Sequence, residues 1–282
     1  MRPRTLPVSV GPVLVGTAVA FSAGSLRVGP AIAAGLGALL LQIGSNFAND
    51  VFDFEKGADT ETRIGPPRAA QMGLLSASEL KRGMLAVFVL STLCGVYLAW
   101  VAGPVILLVG AISIAAAVAY TGGPWPLGYH GLGDLAVFVF FGVVAVVGTT
   151  FVQTAAINPI AVVAAFPVGA LATAILVVNN LRDVDADRLV GKKTLAVRIG
   201  RRGVRFEWAA LVGASYLTTF VVMIAMSESA WVLLPWLSAP RALSLWRVIR
   251  SSDDGSALNE ALAGTAQLGF LFSFLFALGI AA

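Results

Sequence analysis

Charged residues are scarce in this chain. Asp, Glu, Lys and Arg make up only 12% of its 282 residues, about half the share found in soluble domains. Hydrophobic residues make up 58%, and the mean hydropathy is +0.87. A soluble core could not bury so much apolar surface, so the composition indicates a protein that lies in a lipid bilayer.

Sulfur and imidazole ligands are almost absent. The single cysteine, Cys94, and the single histidine, His130, exclude a disulfide framework and a Cys/His zinc site. No basic soluble domain is present to carry the net charge of +4, so nucleic acid is not an expected partner. The N-terminus is basic and precedes an apolar stretch, but it has no small-residue cleavage site, which favours an uncleaved first helix.

Long apolar runs account for most of the chain. A helix needs about 20 mostly apolar residues to cross a bilayer. We predict nine such segments, at residues 6–24, 29–51, 84–102, 104–120, 134–152, 159–181, 204–226, 230–248 and 261–281. The sequence therefore predicts an all-α integral membrane protein, with residues 1–282 as one domain and about nine transmembrane helices around a central cavity open to the cytoplasm.

Basic residues fall on one side of these segments. They precede the first segment, end or follow the even-numbered ones, or open the seventh, and Arg27 is the exception. Loops rich in Lys and Arg are retained in the cytoplasm. The pattern therefore places the N-terminus and the basic loops in the cytoplasm.

Two acidic clusters end apolar runs on that same side: NFANDVFDFEKGAD from Asn46 and NNLRDVDAD from Asn179. Carboxylates beside hydrocarbon are costly unless they face water, pair with cations or bind metal. Residues three or four apart share a helix face. Two stripes follow from this rule, one of Asn46, Asp50 and Asp53, the other of Asn179, Asp183 and Asp187.

Both stripes offer only oxygen ligands, which suit Mg²⁺. Because Mg²⁺ binds one or two carboxylates together with substrate phosphates, facing stripes would hold ions that bridge a diphosphate. Arg63, Arg68 and Lys193 could contact its phosphates. The plainer alternative is two solvated loops with capping Asp residues, and basic residues that serve only topology.

These motifs resemble the UbiA-type membrane prenyltransferases. The resemblance rests on NxxNDxxD followed by GxD, on RxGPPR, on NNxRDxxxD and on GKxTLAVRxG. Three further blocks are similar to the 1,4-dihydroxy-2-naphthoate prenyltransferases of menaquinone biosynthesis: RPRTLP, YTGGPWPLGYHGLGD and VFVFFGVVAVVGT. The likeness covers nearly the whole chain. It departs at Gly57, where many members of the superfamily carry an acid; here the acid follows two places later, at Asp59.

The resemblance implies an enzyme of a bacterial inner or cell membrane that transfers a polyprenyl group from an allylic diphosphate to 1,4-dihydroxy-2-naphthoate, with loss of carbon dioxide. Its partners would be these two substrates and membrane lipid, and its cofactor Mg²⁺. One ion would be held by Asn46, Asp50 and Asp53, and the other by Asp183 and Asp187. Asn179 would orient a ligand, while Arg63, Arg68 and Lys193 would hold the diphosphate and Arg4 would meet the acceptor carboxylate.

Some residues stay ambiguous at this level. Tyr120, Trp125 and Tyr129 could form a lid that shields a cation, or they could be interfacial anchors. Asp185 lies off its stripe and is expected to pair with Arg182 or Arg188. The roles of Asp59 and His130 stay open.

Other functions also remain possible. The acceptor could be 4-hydroxybenzoate or homogentisate. From a different class, the chain could be a membrane cation carrier, which would use intramembrane acids as an ion path, or a structural membrane subunit. Carriers place such acids near the middle of the membrane on broken helices, whereas here the acids follow the apolar runs.

Overall fold

The computed structural model describes residues 7–57, 69–225 and 229–282. Within these ranges all regular secondary structure is helical. Helical residues make up most of each of the nine predicted segments, and the eighth is divided between a 3₁₀ helix and an α-helix. The helices are α1 (Pro7–Ser22), α2 (Val28–Glu55), α3 (Ala77–Ala102), α4 (Val105–Ala119), α5 (Gly133–Thr154), α6 (Pro159–Leu189), α7 (Leu195–Ala225), α8 (Ala239–Ser251) and α9 (Gly255–Ala281). The middle of α5, Phe138–Val147, is a π-helix, and α7 has a kink at Gly200.

Six of these helices, α2, α3, α5, α6, α7 and α9, are long and apolar enough to cross a membrane. Helices α1 and α4 are apolar but shorter, with 16 and 15 residues. Helix α8 has 13 residues and continues directly from the 3₁₀ helix Ala230–Ser238. Large apolar side chains such as Trp100 and Ile224 are mostly exposed, as expected where lipid is the solvent. The predicted all-α membrane fold is confirmed.

Helix α6 is the most buried of the six long apolar helices. It packs against α5, α7 and α9, with a smaller contact to α1. Small residues permit this close packing: a Cβ on Gly142 of α5 would lie 2.7 Å from the carbonyl oxygen of Ala165, and one on Gly169 would lie 2.8 Å from that of Phe138. The core therefore surrounds the helix that carries the second acidic cluster.

The two helices that carry the acidic clusters run past the predicted ends of their apolar segments. Helix α2 continues from residue 51 to Glu55, and α6 continues from residue 181 to Leu189. Hydropathy marks where a chain leaves lipid, whereas a helix ends where its backbone hydrogen bonds end. The acids consequently lie on regular helix, as the two predicted stripes require.

Candidate functional site

The C-terminal ends of α2 and α6, which are predicted to face the cytoplasm, meet at one lysine. Lys192 Nζ lies 3.6 Å from Asp53 Oδ1 and 3.7 Å from Asp187 Oδ1. The carboxylates are buried, at 3% and 9% exposure, and the lysine side chain is 17% exposed. Two clusters far apart in the sequence are thus brought together around a single positive charge.

A segment between α4 and α5, residues 121–132, crosses this point and is called the strap here. From it, Tyr129 Oη donates a hydrogen bond to Asp53 Oδ1 at 2.7 Å. Two ammonium groups flank the Tyr129 ring, with Lys192 Nζ 4.6 Å and Lys56 Nζ 5.0 Å from its centroid. The tyrosine therefore contacts the end of α2 and both lysines through cation–π geometry.

The start of the strap is also fixed to α2. Lys56 Nζ donates to the carbonyl oxygen of Thr121 at 2.6 Å, and Thr121 Oγ1 donates to Asn49 Oδ1 at 3.0 Å. Partial desolvation lowers the pKa of Lys56 from its ordinary value; the negative charge of Asp53 opposes this decrease and the positive charge of Lys192 adds to it. Two cations therefore share a small region with the acids.

The turn between α6 and α7 holds the other end of the strap. The backbone N–H of Lys193 donates to the carbonyl oxygen of Tyr129 at 2.9 Å. Arg198 donates to the carbonyl oxygen of His130 at 2.8 Å and to that of Lys193 at 3.1 Å. The His130 ring stacks on Trp125, with centroids 4.4 Å apart. The Lys193 side chain is exposed, so its neighbour Lys192 supplies the amine between the carboxylates.

A buried arginine organises the second stripe. Arg182, whose side chain is 1% exposed, donates from Nε and Nη2 to the two oxygens of Asp183, at 2.7 and 2.5 Å. Nη2 also donates to Asn179 Oδ1 at 2.9 Å, and Nη1 to Asn259 Oδ1 of α9 at 2.6 Å. Sequence reasoning assigned no site role to Arg182 or Asn259. The NNLRD motif contained the arginine, but spacing rules give no reason for residues 182 and 183 to pair.

Asn46 and Asp50 lie on the same buried face of α2 as Asp53, at 7% and 8% exposure. Asn46 Nδ2 is buried and has no hydrogen-bond partner among the described residues. Tyr120 is half-buried where α4 meets the strap, and its carbonyl oxygen accepts from the N–H of Gly128 at 2.9 Å. Four predicted or open positions, Arg4, Asp59, Arg63 and Arg68, lie outside the described residues.

The donor set fits a hard divalent cation. Within the part of the chain that the structure describes, no three His, Cys, Asp or Glu residues converge closely enough to form a metal cage by themselves. Mg²⁺ does not need one, because it keeps waters and takes phosphate oxygens alongside one or two carboxylates. Asp53 and Asp187 already share one positive group, the ammonium of Lys192. Asp183 retains acceptor capacity beside Arg182, since a carboxylate has about four lone-pair sites.

The remaining basic residues near this face tie helix ends together. Arg201 pairs with Asp185 at 2.7 Å and with Asp253 at 3.0 Å, and Arg205 also reaches Asp253, at 2.8 Å. Arg188 lies 3.6 Å from Asp185. Asp185 therefore faces away from the stripe, as expected, and its partners hold α6, α7 and the turn before α9 together.

Comparison with known proteins gives a full-length match. A model of the UbiA prenyltransferase family matches residues 9–281. The chain is 39% identical to 1,4-dihydroxy-2-naphthoate octaprenyltransferase of Escherichia coli (strain K12), over 99% of this chain and 93% of that protein. It is also 39% identical to the protein of the same name from Mycobacterium tuberculosis (strain ATCC 25618 / H37Rv), over 94% and 89% of the two chains.

Solved structures share the fold at low sequence identity. The apo structure of a UbiA homolog from Aeropyrum pernix K1 superposes with a TM-score of 0.76, at 16% identity and 96% coverage of each chain. A UbiA homolog from Archaeoglobus fulgidus, bound to DMAPP and Mg²⁺, gives a TM-score of 0.65 at 17% identity, over 95% of this chain and 97% of that one. The helical arrangement described above is therefore one already seen in solved proteins.

Proposed function

Because the chain belongs to the UbiA prenyltransferase family, we propose that it transfers a polyprenyl group from an allylic diphosphate to 1,4-dihydroxy-2-naphthoate, giving a demethylmenaquinol with loss of carbon dioxide. The resemblance found in the sequence motifs is confirmed by the family match and by the naphthoate octaprenyltransferases that align over nearly the full chain. The proposal rests on the place where Asp53 and Asp187 meet at Lys192, called the junction here. It supplies charges of both signs where a diphosphate could bind.

The two stripes are proposed to hold Mg²⁺, through Asn46, Asp50 and Asp53 on α2 and through Asp183 and Asp187 on α6. Bound Mg²⁺ would neutralise the negative charge that develops on the diphosphate as it leaves. Support comes from the all-oxygen donor set and from the cation already shared by the two helix ends. The buried Nδ2 of Asn46, which has no partner among the described residues, is a hydrogen-bond donor that could bind a phosphate oxygen. Asn179, fixed by Arg182, would orient a ligand or phosphate oxygen.

Basic side chains would bind the diphosphate. Arg63, Arg68 and Lys193 remain proposed for this role, and Lys192 joins them because its amine lies at the junction. Arginine gives forked hydrogen bonds to phosphate, and lysine gives a mobile point charge. Arg4 remains proposed for the acceptor carboxylate.

The strap would shield the allylic cation from water. Its backbone and side chains are bonded to α2 on one side and to the α6–α7 turn on the other, so it covers the junction. The Tyr129 ring lies beside the acids and already attracts two cations, which suits an aromatic wall for a carbocation. Tyr120, at the base of the strap, remains proposed for substrate contact.

The protein is an integral membrane protein, and we further propose a bacterial cell membrane, with residues 1–282 acting as one unit and the junction opening to the cytoplasm. The acids lie in the last turns of α2 and α6, rather than on broken helices at mid-membrane, which argues against a cation carrier.

Product analysis tests the proposal. Purified protein is incubated with Mg²⁺, a polyprenyl diphosphate and 1,4-dihydroxy-2-naphthoate, and the lipid extract is examined by mass spectrometry for a prenylated, decarboxylated quinol. Parallel reactions contain 4-hydroxybenzoate or homogentisate. Prenylation of one of these, with none of the naphthoate, would refute the assigned acceptor while keeping the enzyme class. Ion flux in liposomes without any product would refute both.

A further inference from the structure

Lys192 occupies the gap that a metal ion would need. Its ammonium nitrogen is almost equidistant from Asp53 and Asp187, at 3.6 and 3.7 Å, and both distances exceed those of a close hydrogen bond. Asp53 Oδ1 already accepts a hydrogen bond from Tyr129 at 2.7 Å. The ammonium therefore balances two buried carboxylates without being held tightly by either.

A hydrated Mg²⁺ and this ammonium are alternatives for the same space. Mg²⁺ binds oxygen at about 2.0–2.1 Å and keeps several waters, so an ion on Asp53 or on Asp187 would need the space that the amine now fills. Both species are positive, and their repulsion is screened only weakly where the carboxylates are buried. A metal that binds Asp53 and Asp187 must therefore expel the Lys192 amine.

The side chain can move while its backbone stays fixed. The Lys192 N–H donates to the carbonyl oxygen of Asp187 at 2.9 Å, which anchors the residue to the end of α6. The flexible four-carbon stem of lysine can carry its charge to another partner. At its present position Nζ also lies 4.6 Å from the centroid of the Tyr129 ring, a second contact that does not depend on the carboxylates.

We propose that Lys192 is an exchangeable counter-cation of this site. Before the substrates arrive, its amine neutralises Asp53 and Asp187; when the metal and diphosphate bind, the amine leaves the carboxylates and contacts the phosphate oxygens. This inference rests on the proposed function, because it requires a metal and a diphosphate at the junction. It gives Lys192 two opposite effects, since its charge weakens binding of the metal alone and strengthens binding of the diphosphate.

The test measures binding rather than turnover. Mn²⁺ is titrated into the purified full-length protein and followed by electron paramagnetic resonance, first alone and then at saturation with inorganic pyrophosphate as the second ligand. Lys192→Met removes the charge and keeps the aliphatic stem, whereas Lys192→Arg keeps the charge. Arg202→Gln, an exposed residue of α7, removes one positive charge outside the junction.

In Lys192→Met, the Kd for Mn²⁺ alone should fall about tenfold, within the usual range of coupling between two sites, and the Kd for pyrophosphate in the presence of Mn²⁺ should rise by a similar factor. Lys192→Arg and Arg202→Gln should both stay close to wild type for Mn²⁺ alone. Should the Met variant fail to fold, Lys192→Gln removes the same charge and carries the same expectation.

Unchanged or weaker Mn²⁺ binding in the uncharged variant overturns the inference, because it would show that the amine does not compete with the metal. The proposed function would survive that result if the wild type still formed the prenylated quinol. A wild type that binds no Mn²⁺, with or without pyrophosphate, overturns the inference and the proposed metal site together.

Discussion

Asn259 on α9 is expected to control metal binding without touching the metal. Its Oδ1 accepts the 2.6 Å hydrogen bond from Arg182 Nη1, and the same guanidinium holds both oxygens of Asp183. Asn259→Leu keeps a similar shape and removes the acceptor. One donor of a side chain that is 1% exposed then loses its partner, and the guanidinium holds Asp183 less firmly in place.

The expected size follows from that single bond. A hydrogen bond to a charged group contributes about 1.5–3 kcal/mol, so the free energy of unfolding should fall by about this amount. If half of the loss, about 0.75–1.5 kcal/mol, appears as misorientation of Asp183, the affinity for the metal should fall roughly threefold to twelvefold, since about 1.4 kcal/mol corresponds to tenfold. The measurements are thermal unfolding and Mn²⁺ titration by electron paramagnetic resonance.

Gln267→Leu provides the matched control. Gln267 lies on the same helix and its Oε1 accepts a hydrogen bond from the guanidinium of Arg241, remote from the acids. This variant should leave metal affinity unchanged. The reasoning is refuted if Asn259→Leu lowers stability but binds Mn²⁺ as the wild type does, because Arg182 would then serve packing alone.

Four other variants test the remaining parts of the site. Asp50→Ala and Asp183→Ala should each abolish turnover and leave membrane insertion intact, and activity in either would contradict its place among the metal ligands. Arg68→Ala should raise the KM for the prenyl diphosphate with a smaller change in kcat, so an unaltered response to donor concentration would count against it. Gly122→Ala would place a Cβ 2.8 Å from the Phe52 ring and 2.7 Å from a backbone carbonyl oxygen one turn earlier; we expect overpacking to cost about 1–3 kcal/mol, seen as a lower Tm, and an unchanged Tm would show that the strap can shift freely.

The features that follow from local periodicity could be predicted from the sequence. Runs of about 20 apolar residues indicate transmembrane helices, and each predicted segment is largely helical in the structure. The two stripes were predictable for the same reason: once α2 and α6 are helical, residues three or four apart must share a face. Burial of Asp53 and Asp187 in one place agrees with that expectation.

The features that depend on contacts between distant helices could not be predicted. Arg182 and Asp183 are adjacent, so their Cβ atoms point about 100° apart around the helix, and only the length of the arginine side chain lets them pair. Asn259 comes from α9, which carries no acidic motif at that position. For the same reason, the sequence could not show that Lys192, rather than Lys193, would lie between the carboxylates. Adjacent residues of a turn point in different directions, and only the fold decides which of them faces the site.

The departure at Gly57 can now be understood from the end of α2. The helix is capped at Lys56, and Gly57 follows with φ +66°, a left-handed conformation that ends helices and favours glycine. A side chain at this position would no longer continue the stripe, and an added Cβ meets no atom of the described residues within 4 Å. An acid at residue 57 would therefore add no ligand in line with Asp53 unless α2 extended further. The ligands proposed on α2 therefore end at Asp53, and Asp187 on α6 lies across the junction at the same Lys192 amine.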